Sequence, residues 1–102
     1  MSEETQVHRF LYLCRVCGFD NKNPPWGAKG QNPSHAICPC CGTEFGYDDA
    51  TPAGIKSSRE RWFNEGCEWF IDDLKPARWN AATQMKALEG SPWDLKDQET
   101  MS

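Results

Sequence analysis

Long apolar runs are missing from this 102-residue sequence, and hydrophobic residues make up only 38% of it. Nothing approaches the roughly 20 consecutive apolar residues that a membrane-spanning helix needs. The start of the chain, Met1 to Arg9, has no apolar stretch of the kind that exports a protein, so a cytoplasmic location is expected. Positive charge is also scarce. Lys and Arg number 11 against 15 Asp and Glu, the formal charge is −4, and the basic residues are dispersed among acidic ones. A surface built to neutralise nucleic-acid phosphates is therefore disfavoured. With two histidines, no Ser-His-Asp order, no glycine-rich phosphate loop and no H-E-x-x-H, the parts for nucleophilic, phosphoryl-transfer and zinc-hydrolase chemistry are lacking. The chain is not expected to be an enzyme.

What the sequence does have is five Trp, five Phe and six Cys. So short a domain buries a modest fraction of its surface and needs a staple beyond its core. Large aromatic rings must supply much of the apolar burial. Disulfides would require the oxidising context that the sequence does not offer, so metal ligation is the favoured use of the cysteines.

Their spacing sharpens that reading. Cys14-Arg15-Val16-Cys17-Gly18 and Cys38-Pro39-Cys40-Cys41-Gly42 both read C-x-x-C-G. Two intervening residues let one tight turn aim both sulfurs at a single ion, and the glycine permits the backbone angle that closes the turn. Four thiolates, from Cys14, Cys17, Cys38 and Cys41, complete a tetrahedron with no open position, as in a structural rather than a catalytic site. One structural Zn²⁺ is expected, with iron as the alternative that the same ligands accept. Cys40 competes with Cys41, but only Cys41 repeats the first spacing, so Cys40 is read as a residue at the knuckle tip that tunes the site. Cys67 is read as a buried, inert thiol. His35 is assigned to packing or surface, and the pairs Asp48-Asp49 and Asp72-Asp73 to solvated surface.

Along the chain, β-forming residues precede each knuckle, at Phe10 to Leu13 and at Ala36-Ile37, and Thr43 to Tyr47 alternates as a half-buried strand would. Asn21 to Ser34 is a turn-rich loop carrying Trp26. Thr51 to Gly54 reads as a linker. A helix is expected to open at the capping box Ser57 to Glu60 and to present Trp62, Phe63, Trp69, Phe70 and Leu74 on one face until Pro76 ends it near Lys75. A second helix should start at the N-cap Asn80, run through Met85 and Leu88 and stop near Gly90, with Trp93 folding back. The expected fold class is small α+β: a zinc ribbon with rubredoxin-like knuckles on short antiparallel strands, followed by one or two packed helices. Residues 10–93 form a single domain on this reading, with flexible ends at 1–9 and 94–102.

The run Tyr12 to Asp20, Pro24-Pro25-Trp26, Pro33-Ser34, Ile37 to Gly42 and Glu44 to Asp49 resembles the bacterial cysteine-rich CPCC proteins. The similarity continues at Arg61-Trp62, Gly66 and Trp69 and, more loosely, at Trp79-Asn80 and Gln84-Met85. Met85 stands where such proteins tend to have Leu, a swap that conserves volume. The resemblance implies a zinc site at Cys14, Cys17, Cys38 and Cys41, no catalytic residues, and in some members kinship to immunity proteins encoded beside secreted toxins. The expected function is accordingly a zinc-stabilised module that binds a protein partner such as a toxin and occludes it, with Glu44, Asp48 and Asp49 and helix acids such as Glu65, Glu68 and Asp72 steering a basic partner. The knuckles also resemble rubredoxin, which implies an iron electron carrier, and a nucleic-acid-binding ribbon is the remaining alternative.

Overall fold

The computed structural model describes residues 10–94. The flexible ends expected at 1–9 and past Asp94 lie outside the described residues, whereas Asp94 itself is held, its carbonyl accepting from Arg59 Nη1 at 3.2 Å.

The two knuckles are built alike. In the first, Cys14 N donates to Phe19 O at 2.8 Å and Gly18 N to Cys14 O at 2.9 Å; in the second, Cys38 N donates to Thr43 O at 2.8 Å and Gly42 N to Cys38 O at 2.9 Å. Gly18 and Gly42 take φ of +84° and +80°, the left-handed region that closes each loop and that a side chain resists. Each loop is pinched by one antiparallel bridge, Leu13 to Asp20 and Ile37 to Glu44. The expected strands shrink to these bridges. After Glu44 the chain turns instead of extending, because Asp48 and Asp49 recruit its backbone: Asp48 Oδ2 accepts from Glu44 N at 3.0 Å and Asp49 Oδ1 from Gly46 N at 2.7 Å.

Helix α1 spans Pro52–Asn64. It begins six residues before the expected start: Thr51 rather than Ser57 is the N-cap, its Oγ1 accepting from Gly54 N at 3.0 Å, and Pro52 fills the first helical turn where its missing N–H costs nothing. The segment read as a linker is thus the head of the helix. Its buried stripe is Ile55, Ser58, Arg59 and Trp62, spaced three and four apart. The helix also stops about eleven residues early, at a glycine-terminated cap in which Gly66 N donates to Phe63 O at 3.1 Å and Cys67 N to Trp62 O at 2.9 Å. The continuous aromatic face expected through Leu74 therefore does not exist. Trp62 and Trp69 are buried, while Phe63, Phe70 and Leu74 are exposed.

A 3₁₀ turn covers Asp72–Leu74. Helix α2, Ala81–Met85, starts at the expected N-cap, where Asn80 Oδ1 accepts from Thr83 N at 3.0 Å, and tightens into a 3₁₀ turn at Lys86–Leu88. The core joins knuckles and helices: Val16, Phe45, Ile55, Trp62 and Trp69 pack around Cys14, Cys17, Cys38 and Cys40, with Phe19, Trp79 and Trp93 leaning on them. Trp69 meets Phe19 and Trp79 edge to face at 5.4 and 5.5 Å, and Trp62 lies 6.0 Å from Trp79. Such ring pairs add about 0.5–1.5 kcal/mol each beyond their area.

Candidate metal centre

The equal knuckles face each other, and their sulfurs converge. Cys14 Sγ lies 3.6 Å from Cys41 Sγ and Cys17 Sγ lies 3.7 Å from Cys38 Sγ. All four ligand atoms fall within 4.8 Å of one another. These separations are far beyond the roughly 2.05 Å of a disulfide, and all six cysteines are free. A regular tetrahedron of thiolates around an ion with metal–sulfur bonds of about 2.3 Å has edges of about 3.8 Å, so the sulfur positions fit one four-coordinate ion. Cys14, Cys17 and Cys38 are fully buried and Cys41 partly so. The four cysteines are close enough to bind a metal ion, in the manner of a structural site.

The electrostatics support cation capture. Burial pushes the Cys14 and Cys17 thiols well above their ordinary range. Cys41 is held far below it by hydrogen bonds from Cys14, Cys17 and Cys38, with Thr43 Oγ1 3.0 Å away adding to the effect. The metal-free cluster thus favours negative charge on Cys41, while burial favours the protonated form of Cys14 and Cys17.

Cys40 is buried beside this group without belonging to it. Gln84 Nε2 reaches its sulfur at 3.4 Å and the Cys17 carbonyl at 3.0 Å, while Trp79 Nε1 holds Gln84 Oε1 at 2.9 Å. A relay from Trp79 through Gln84 thereby fixes α2 to both knuckles. In the sequence, Trp79 and Gln84 stood out only in the looser part of the family resemblance, which gave them no role, since nothing local relates them to the cysteines.

The other candidates fall elsewhere. His35 is exposed, with its backbone in the left-handed region at φ +63°. Cys67, with φ +56°, is half-buried just past the cap of α1, and burial raises its thiol. Asp49 departs most from the solvated role expected of it. It is 0% exposed and accepts from Trp26 Nε1 at 2.8 Å as well as from Gly46. Asp48 and Asp49 are consequently internal supports of the second knuckle's exit, and the acidic surface is left to residues such as Glu65, Glu68 and Asp72.

The first knuckle is braced from outside. The Arg15 guanidinium lies between Trp26 and Trp93, 4.0 and 4.7 Å from their ring centroids. Beneath it, Arg59 gives its donors to the carbonyls of Val16, Arg15, Trp93 and Asp94. Nothing in the sequence signalled this role for either arginine. Trp69 Nε1 is buried and finds no hydrogen-bond partner among the described residues.

Fold and site together define a small tetracysteine protein in which two like knuckles meet over a helix-bearing aromatic core. Among known proteins, it is similar to the uncharacterised protein YoaQ of Bacillus subtilis (strain 168), at 32% identity over 71 residues, covering 54% of this chain and 59% of that one. The chain spans less than two thirds of that relative's length. No family model matches it, and no solved structure matches it. No helix among the described residues is long and apolar enough to cross a membrane.

Proposed function

We propose that the chain is a cytoplasmic, non-enzymatic module held together by one structural Zn²⁺ on Cys14, Cys17, Cys38 and Cys41, and that its surface binds another protein. The observation that carries this reading is the closed sulfur shell: four convergent thiols from two like turns. The ion would be held by those four side chains alone, and its chemistry there is charge neutralisation and cross-linking of the two halves of the ribbon. The resemblance to CPCC proteins supports an immunity role, in which exposed acids such as Glu65, Glu68 and Asp72 steer a basic toxin and the bound module covers its cleft.

Two measurements test it. Metal analysis of the purified protein should give one zinc per chain. Co-expression should protect cells from the product of an adjacent toxin-like gene, and failure to protect, or to bind that product, sinks the immunity role. The matched hydrogen-bond pattern of the knuckles favours a second reading, a rubredoxin-like electron carrier. Red colour, one iron per chain and a reversible couple would establish that reading in place of the first.

A further inference from the structure

The segment after α1 leaves three large apolar side chains in the open within five residues: Phe70 is 63% exposed, Ile71 43% and Leu74 54%. We propose that this strip is the docking surface for a protein that presents an apolar anchor inside a cationic rim. The inference rests on the reading of the chain as a protein-binding module and names the surface and partner chemistry of that module; it does not depend on the partner being a toxin.

The strip is anchored to the second knuckle. Phe70 N donates to Cys40 O at 3.0 Å and Ile71 N to Pro39 O at 2.9 Å, tying the backbone of the strip to the tip of that knuckle. The Phe70 ring lies over Gly42, where an added Cβ would come within 3.4 Å of Phe70 Cδ1. Leu74 N then donates to Ile71 O at 3.0 Å, closing the 3₁₀ turn. Backbone held in this way loses little freedom on binding, which is what lets exposed apolar side chains act as anchors. Contiguous exposed apolar surface marks interaction sites, whereas scattered residues such as the 76% exposed Tyr47 do not.

Charge selects the occupant. Glu68, Asp72 and Asp73 are exposed and interleave with the apolar residues in the order Glu68-Trp69-Phe70-Ile71-Asp72-Asp73-Leu74. A second copy packed face to face would bring these acids against themselves. A partner with lysines or arginines around its apolar anchor satisfies both features.

The test uses the full metal-loaded chain and a fluorescent amphipathic helical peptide made only of leucine and lysine, with a leucine–glutamate peptide as its counterpart. The leucine–lysine peptide should bind and its counterpart should not. Phe70→Ser with Leu74→Ser should weaken binding by about tenfold or more, as loss of central anchors does. Asp72→Asn with Asp73→Asn should weaken it and flatten its dependence on salt between about 0.05 and 0.3 M. Tyr47→Ser should change nothing, and unchanged metal content shows that each variant is folded. No binding by the leucine–lysine peptide, or equal binding by the Phe70/Leu74 variant, overturns the proposal. So does a concentration-dependent dimer that Phe70→Ser dissolves, which would make a second copy the occupant. Peptide docking on the strip without protection by the chain against a neighbouring toxin removes the immunity role and leaves this surface standing.

Discussion

Arg59, in the middle of α1, donates from Nε to the carbonyl of Val16 at 2.8 Å, so a helix side chain holds the interior of the first cysteine knuckle. Its Nη2 reaches Arg15 O and Trp93 O, each at 2.8 Å. Four carbonyls from two segments far apart in sequence, Arg15-Val16 and Trp93-Asp94, converge on one planar fork, a geometry lysine cannot reproduce. Arg59→Lys should destabilise the metal-loaded protein by about 2–4 kcal/mol, since hydrogen bonds to charged groups contribute about 1.5–3 kcal/mol each and a lysine recovers only part of the set. Denaturant unfolding at constant metal load measures this; a loss under about 0.5 kcal/mol would show that the clamp is incidental.

Serine substitution separates the ligands from their neighbour. Cys14→Ser, Cys17→Ser, Cys38→Ser or Cys41→Ser should each strip most of the metal and, with it, most of the folded population. Cys40→Ser should keep one ion per chain and lose only the support of Gln84 to its sulfur. Metal stoichiometry by mass spectrometry reads the difference.

Protons compete with the metal, and the sign follows from the thiols. Bound metal needs thiolates, so affinity must fall as pH falls. Burial keeps Cys14 and Cys17 protonated above the usual thiol range, whereas Cys41 is already held as a thiolate. Binding near neutral pH should therefore release fewer than four protons. Calorimetry in buffers of different ionisation enthalpy counts them, and release of all four would contradict the charged state assigned to Cys41.

The knuckle glycines should not tolerate alanine equally. At Gly18 a Cβ would sit 2.8 Å from Gln84 O, whereas at Gly42 it meets the Phe70 ring at 3.4 Å. Both carry the left-handed penalty of about 1–2 kcal/mol, but only Gly18→Ala must also displace backbone of α2. Gly18→Ala should lower the unfolding midpoint distinctly more than Gly42→Ala.

Two tryptophans offer a matched comparison. Trp62 Nε1 donates to Glu68 O at 3.0 Å, while Trp69 Nε1 has no partner among the described residues. Phenylalanine removes similar volume at both sites. Trp62→Phe should thus cost about 1 kcal/mol more than Trp69→Phe, the usual net worth of one such bond; equal losses would mean that the Trp69 indole is satisfied in solution.

The sulfur cluster was legible because its signal is local: each C-x-x-C-G carries its own turn, and the second copies the first. The choice of Cys41 over Cys40 followed from the same repeat, and the four-sulfur group contains Cys41. The helix limits were misread although signals were present. Thr51-Pro52 is a helix start and Gly66 a helix stop, but the Ser57 to Glu60 pattern and the spacing of Trp62, Phe63, Trp69, Phe70 and Leu74 imitated a later start and a longer helix. The expected strands failed for another reason. Side chains of Asp48 and Asp49 capture backbone N–H groups that a strand would have paired, and acids adjacent in sequence look alike whether they face water or an amide. The roles of Arg59 and Gln84 were illegible because their partners lie dozens of residues away.

The Arg59 clamp also bears on how this architecture can be divided. Two of its acceptors belong to the first knuckle and two to the last described turn, at Trp93 and Asp94. A ribbon excised without α1 loses the guanidinium; a fragment ending before Trp93 buries that charge with half of its carbonyls gone. The cysteine half is therefore not a cassette that can be cut out and grafted onto another protein without loss, because the carbonyls of Arg15 and Val16 share their guanidinium with the turn at Trp93.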